Sequence, residues 1–248
     1  MASRDLAAVA SDPRGLLGCP ALTRPAAHPR IAALTEPDVA LTDYGVTLEC
    51  AVLTGLLFRR GPVRRRLRGL FALLFASAGL GALAGGTVHG FFLEEPSLTG
   101  AVLWRIALLA VGLTALAGWS IGGRLLFTEG TARLVEGLAA FEWVVYAVVV
   151  LAIDERFWIA VANYAPSVVF LTVAFLVAYA RQRQGPILAG LVGMVLMMAA
   201  AVVQRLRIAL HPAYFNHNAL YHVIQMTAFA LVFLAGRHLI APFAADER

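Results

Sequence analysis

The sequence predicts an all-α polytopic membrane protein of seven transmembrane helices, with its N-terminus outside and its C-terminus in the cytoplasm. Three observations predict it. Hydrophobic residues make up 60% and charged residues 14% of the 248-residue chain, whereas soluble domains carry roughly 25% charged residues. From residue 40 onward, seven apolar stretches each approach the ~20 residues needed to cross a bilayer. All twenty basic residues are arginine, and they gather in alternate connections between those stretches.

The chain divides as follows. Residues 1–39 are rich in Ala, Pro and Arg and show no sustained period, which predicts a disordered tail. Within it, Leu16-Leu17-Gly18-Cys19 superficially resembles a lipoprotein processing site, but Asp12, Pro13 and Arg14 interrupt the apolar run such a site requires. Residues 40–236 form the membrane domain, with predicted spans at 40–58, 69–92, 98–121, 135–153, 157–180, 186–206 and 217–236. Lipid offers no water to backbone groups, so each span is a helix. Residues 237–248 form a short cytoplasmic tail.

Arginine sets the orientation. The first connection holds six arginines between Arg59 and Arg68, the third holds Arg124 and Arg133, and the fifth Arg181 and Arg183. Arg237 follows the last span. The opposite loops carry Glu94, Glu95, Asp154, Glu155 and Arg156, with Arg205 and Arg207 as less tidy members. Positive loops stay inside, and seven crossings satisfy that bias where six or eight do not. Arginine without lysine reads as the coding bias of a GC-rich bacterial gene, hence a bacterial inner (plasma) membrane. The net charge of +5 and pI of 9.8 are explained by topology and not by nucleic acid. Cys19 and Cys50 provide neither a disulfide framework nor a metal-type spacing.

Polar residues inside the spans carry the functional signal. Residues 215–226 open the last span with more polar side chains than enter any other. On a helix, Asn218, His222 and Gln225 share a face and Tyr221 flanks it. His217 lies ~140° from His222 and does not converge with it. At similar depth stand Asp43 and Glu49 in the first span, His89 in the second, Arg105 in the third, Asn163 and Tyr164 in the fifth, and Gln204 in the sixth. Glu142, in the fourth, sits nearer the middle. Charges at such depth cost about 2.5–3.5 kcal/mol each, so pairing is expected, for example Glu49 with Arg105. Together Asp43, Arg105, Asn163, Gln204, Asn218, Tyr221 and Gln225 predict a shared polar cavity in the outer leaflet. Any one of them also has a bland reading as packing or a structural pair. In the second span, Ser77, Gly81, Gly85 and His89 recur every four residues, a small-residue face that suits close helix packing and ends in histidine. Gly79 and Gly86, off that repeat, predict further close contact. No phosphate-binding Gly loop, paired-cysteine site or Gly-x-Ser-x-Gly elbow is present.

Gly85-Gly86-Thr87-Val88-His89 and Asn218-Ala219-Leu220-Tyr221-His222, set in seven helices with the N-terminus outside, resemble the CREST superfamily, which includes alkaline ceramidases and the progestin and adiponectin receptors. The resemblance spans residues 40–236 in layout. It implies an intramembrane zinc hydrolase of lipid amides or esters, with His89 and His222 as metal ligands. The family's serine position holds Gly85, and the first histidine of its His-x-x-x-His pair is Asn218. The third ligand would then be His217, Glu49 or Asp43. The implied chemistry is metal-activated water attacking a carbonyl, with Glu49 taking the proton. The alternative is a noncatalytic seven-helix protein whose outer polar cavity binds a small molecule or a membrane lipid. Axial haem ligation by His89 and His222 and a proton-coupled transporter are weaker readings: two histidines are unspecific, and the halves show no internal repeat.

Overall fold

A computed structural model describes residues 34–59, 64–94, 97–211 and 214–241; the Leu16–Cys19 run and most of the predicted tails lie outside the described residues. The protein is all-helical here: α1 (Pro37–Leu57), α2 (Arg65–Phe91), α3 (Leu98–Leu126), α4 (Glu129–Ala152), α5 (Phe157–Gln182), α6 (Gly185–Arg205) and α7 (His217–Ile240). All seven are long and apolar enough to cross a membrane, as expected of an integral membrane protein.

The helices match the predicted spans and overrun several of them. α2 starts at Arg65 and not 69, α3 runs to Leu126 and not 121, and α4 starts at Glu129 and not 135. Hydropathy marks the hydrocarbon slab, but backbone hydrogen bonding continues past it wherever polar side chains find partners. They find them at the arginine-rich end. Glu136 of α4 accepts Arg66 Nη2 of α2 at 2.5 Å and the Arg124 guanidinium of α3, while Glu129 accepts Arg124 Nη1 and Arg133 Nε. At the opposite end, in the α4–α5 loop, Arg156 hydrogen-bonds Asp154 and holds its carboxyl below the usual carboxylate range.

Six helices close a ring: α1 packs on α2 and α7, α2 on α3, α3 on α5, α5 on α6, and α6 on α7. α4 lies outside the ring against α3, and it exposes Leu134, Leu138, Phe141, Val144, Val148 and Leu151, the face lipid would cover. Phe75 anchors the ring's core, edge-on to Phe229 at 5.9 Å and to Phe233 at 6.1 Å. Lipid tails are as apolar as these side chains, so packing and interhelical hydrogen bonds must hold the ring.

Small residues permit that packing. A Cβ added at Gly193 of α6 would lie 2.7 Å from the Ala228 carbonyl oxygen of α7, so only glycine fits there. Ser77 and Gly81 of the four-residue repeat face α3: Ser77 Oγ meets Thr114 Oγ1 at 2.8 Å, and Gly81 lies against Ala107 and Ala110. Replacing Thr114 by Val is expected to cost about 0.6 kcal/mol, the usual worth of an interhelical hydrogen bond in a membrane protein. Unfolding of the detergent-solubilised variant beside wild type measures it, and a loss above ~2 kcal/mol would mean Thr114 does more than bridge α2 and α3.

Candidate functional site

The site forms where the start of α1, the end of α2 and the start of α7 meet, at the end of the ring opposite the Arg66–Glu136–Arg124 cluster. Asn216 caps α7, its Oδ1 accepting the Asn218 and Ala219 amides at 2.8 and 3.1 Å. The Asn216 amide itself donates to Asp38 Oδ2 of α1 at 2.9 Å. These bonds fix the first turn of α7 against the first turn of α1. Residues Thr35 and Glu36 run along the end of α2, their amides donating to the Gly90 and His89 carbonyls.

His222 of α7 and Asp43 of α1 are thereby brought together, with Nε2 3.2 Å from Oδ1 and side chains 12% and 7% exposed. The other imidazole nitrogen, Nδ1, lies 3.1 Å from Thr42 Oγ1. The Thr42 hydroxyl also reaches the Asp38 and Val39 carbonyls, at 2.8 and 3.0 Å, and its one hydrogen can serve either a carbonyl or Nδ1. With that hydrogen directed at Nδ1, the imidazole donates Nε2–H to Asp43 Oδ1. With it directed at a carbonyl, Nδ1 donates to Thr42, and the Nε2–Oδ1 contact is completed by one proton or by a donor between them.

His89 stands within electrostatic reach of His222. Its Nδ1 lies 2.6 Å from Glu36 Oε2, so it donates from Nδ1 and keeps Nε2. Gly85 and Gly86, one turn before it, admit Asp43. A Cβ at Gly86 would lie 2.6 Å from Asp43 Cβ, whereas one at Gly85 would lie 3.9 Å from Asp43 Oδ2. Tyr221 lies edge-on to His222 with centroids 5.3 Å apart, within electrostatic reach of Asp43 and of Tyr164.

The remaining polar residues are at similar depth but separate. Gln204 Nε2 of α6 donates to Asn218 Oδ1 at 3.2 Å. Arg105 pairs with Glu155 of the α4–α5 loop at 2.8 Å, not with Glu49. Asn163 donates to Glu142 of α4, on the outside of the ring. Gln225 and His217 are half-buried, and α7 starts as a regular capped helix, which leaves His217 turned away from His222. Glu49 lies ~9 Å deeper than Asp43 and ~120° around α1, and its buried Oε2 has no hydrogen-bond partner. The predicted layer is thus several small clusters, of which Asp43, His222 and His89 form one.

Sequence reasoning passed over Glu36, Asp38 and Thr42. Glu36 and Asp38 fell inside the presumed tail. Asp38 and Thr42, four apart and so on one face at the start of α1, were the available signal.

Among the described residues, no three His, Cys, Asp or Glu side chains come close enough to hold a metal ion. A catalytic zinc takes three protein ligands, and the pair Asp43–His222 supplies two. The residues as they stand do not fit the zinc that the resemblance implies.

One protein family matches residues 39–241 of the 248, a span that takes in all of α2–α7 and nearly all of α1. The chain belongs to DUF6962, a family of unknown function. No curated protein and no solved structure matches the chain. The DUF6962 match covers the whole site except the residues before 39, among them Glu36 and Asp38.

Proposed function

We propose that this DUF6962 member is a noncatalytic seven-helix membrane protein that binds a small molecule or lipid through the polar site at Asp43, His222 and His89. The single observation carrying this reading is the convergence of Asp43, His222 and His89 from three helices into one polar cluster at the end of the ring, with Nε2 of His222 3.2 Å from Asp43 Oδ1. Glu36 and Asp38 add two further carboxylates at the same end. The ligand class that suits such a site carries an ammonium, an amide N–H or a hydroxyl at its polar head. On this reading the arginine-rich end faces the cytoplasm, as the positive-inside rule favours; the site then lies in the outer leaflet, where bilayer lipid is the nearest source.

The metal-dependent hydrolase is a second proposal, favoured by one observation. Both histidines set Nδ1 against an oxygen, Glu36 Oε2 for His89 and Thr42 Oγ1 for His222, the arrangement metal-binding histidines use to fix their tautomer, and His222 Nε2 faces a carboxylate. No catalytic step follows from it while a third ligand is lacking.

Elemental mass spectrometry of chelator-free protein, beside His89→Ala and His222→Ala, separates the two. The binding reading expects no metal above background in any of the three. It also expects a co-purifying lipid or small molecule, seen by mass spectrometry of the extract, to fall roughly tenfold in His222→Ala, as loss of a hydrogen bond to a charged group implies. About one zinc per chain, lost in both variants, would replace this reading with the hydrolase.

A further inference from the structure

Glu142 and Asn163 lie where α4, outside the ring, reaches α5. Asn163 Nδ2–H donates to Glu142 Oε1. The two remaining oxygens, Glu142 Oε2 and Asn163 Oδ1, are both buried and both without a hydrogen-bond partner. A buried acceptor left unpaired is costly, and two on the same pair of side chains call for one explanation.

The surroundings do not supply it. Tyr146, one turn along α4, donates its hydroxyl to the Leu108 carbonyl at 2.9 Å, and Trp143 Nε1 donates to the Leu109 carbonyl. Arg105 of α3 is paired with Glu155, and Arg124, at the far end of α3, with Glu129 and Glu136. Tyr164 of α5 lines the cavity inside the ring, with Leu74, Thr114 and Phe229. No cation pairs with Glu142 among the described residues.

One hydrogen on Glu142 Oε2 removes both unpaired acceptors together. The acid O–H becomes a donor for Asn163 Oδ1, while Asn163 Nδ2–H continues to donate to Oε1. The two groups then close a cyclic acid–amide pair in which every facing lone pair and hydrogen is used. The same hydrogen also leaves this pair without net charge within the membrane. We infer that Glu142 is a proton-binding site: it is held as the neutral carboxylic acid, ring-bonded to the Asn163 carboxamide, and this pair is the polar link between α4 and α5. The inference is independent of the site at Asp43 and His222. Loss of the proton would leave a carboxylate facing the Asn163 carbonyl, with only the Asn163 Nδ2–H bond to Oε1 remaining, and would weaken the link between α4 and α5.

Infrared spectroscopy of the full chain in lipid at neutral pH tests it. Wild type should show a hydrogen-bonded carboxylic-acid carbonyl band that shifts on exchange into heavy water. Glu142→Gln should lose that band, having no carboxylic acid, while keeping the ring by donating Nε2–H to Asn163 Oδ1 and accepting at Oε1. Asn163→Leu should move the band to the position of a free acid. A wild-type-minus-Glu142→Gln difference containing carboxylate bands in place of the acid band would overturn the proposal. A second readout needs no variant: dicyclohexylcarbodiimide adds to membrane carboxyls in their acid form. Peptide mapping of treated wild type should find the adduct on Glu142, and an unmodified Glu142 under conditions that label a free membrane-embedded acid would equally overturn the proposal.

Discussion

Asp43→Ala is expected to lower stability by on the order of 3 kcal/mol, whereas Asp43→Asn should cost less than about 1 kcal/mol. Asp43 is 5% exposed and meets His222 Nε2 at 3.2 Å. Alanine leaves that nitrogen buried without a partner and opens space beside Gly86. Asparagine keeps the volume and can offer Nε2 either an N–H or a carbonyl oxygen, so it serves either imidazole tautomer. Chemical or thermal unfolding in detergent measures both, and a double-mutant cycle with His222→Ala isolates the coupling. If asparagine proves as damaging as alanine, the contact depends on the full charge of the carboxylate.

Gly86→Ala is expected to cost about 1–3 kcal/mol by overpacking, while Gly85→Ala should be neutral or stabilising by up to ~1 kcal/mol from helix propensity. The added Cβ at Gly86 would meet Asp43 Cβ at 2.6 Å and the Ala40 carbonyl oxygen at 3.3 Å, neither of which can swing aside. α1 and α2 must then separate, and Asp43 moves with α1. The neighbouring position has room, its nearest atom being Asp43 Oδ2 at 3.9 Å. Ligand retention should follow stability, falling for Gly86→Ala and holding for Gly85→Ala. Gly85→Ser is expected to fold as well, and it would place a hydroxyl beside the Asp43 carboxylate. A stable Gly86→Ala with an unchanged site would show that the α1–α2 contact is looser than 2.6 Å implies.

The sequence determined the architecture, because a bilayer imposes so few choices. Seven apolar runs must be seven helices when lipid leaves the backbone no other partner, and α5, predicted at 157–180, is observed at Phe157–Gln182. The small residues of α2 were legible as contact positions for the same reason: close helix packing demands them wherever they fall. What periodicity could not give was the rotation of each helix about its own axis and the order of helices around the ring. Those two quantities follow from side-chain fit between helices far apart in sequence, and they decide which polar residues at equal depth touch. Hence Arg105 met Glu155 and not Glu49, and Asn163 met Glu142 outside the ring. His222 found Asp43 and Thr42 because Asn216 and Asp38 pin α7 to α1 across 178 positions of sequence. The sequence by itself determined that polar groups would lie in the membrane; only the tertiary structure decided their partners, since depth is encoded locally and lateral neighbours are not.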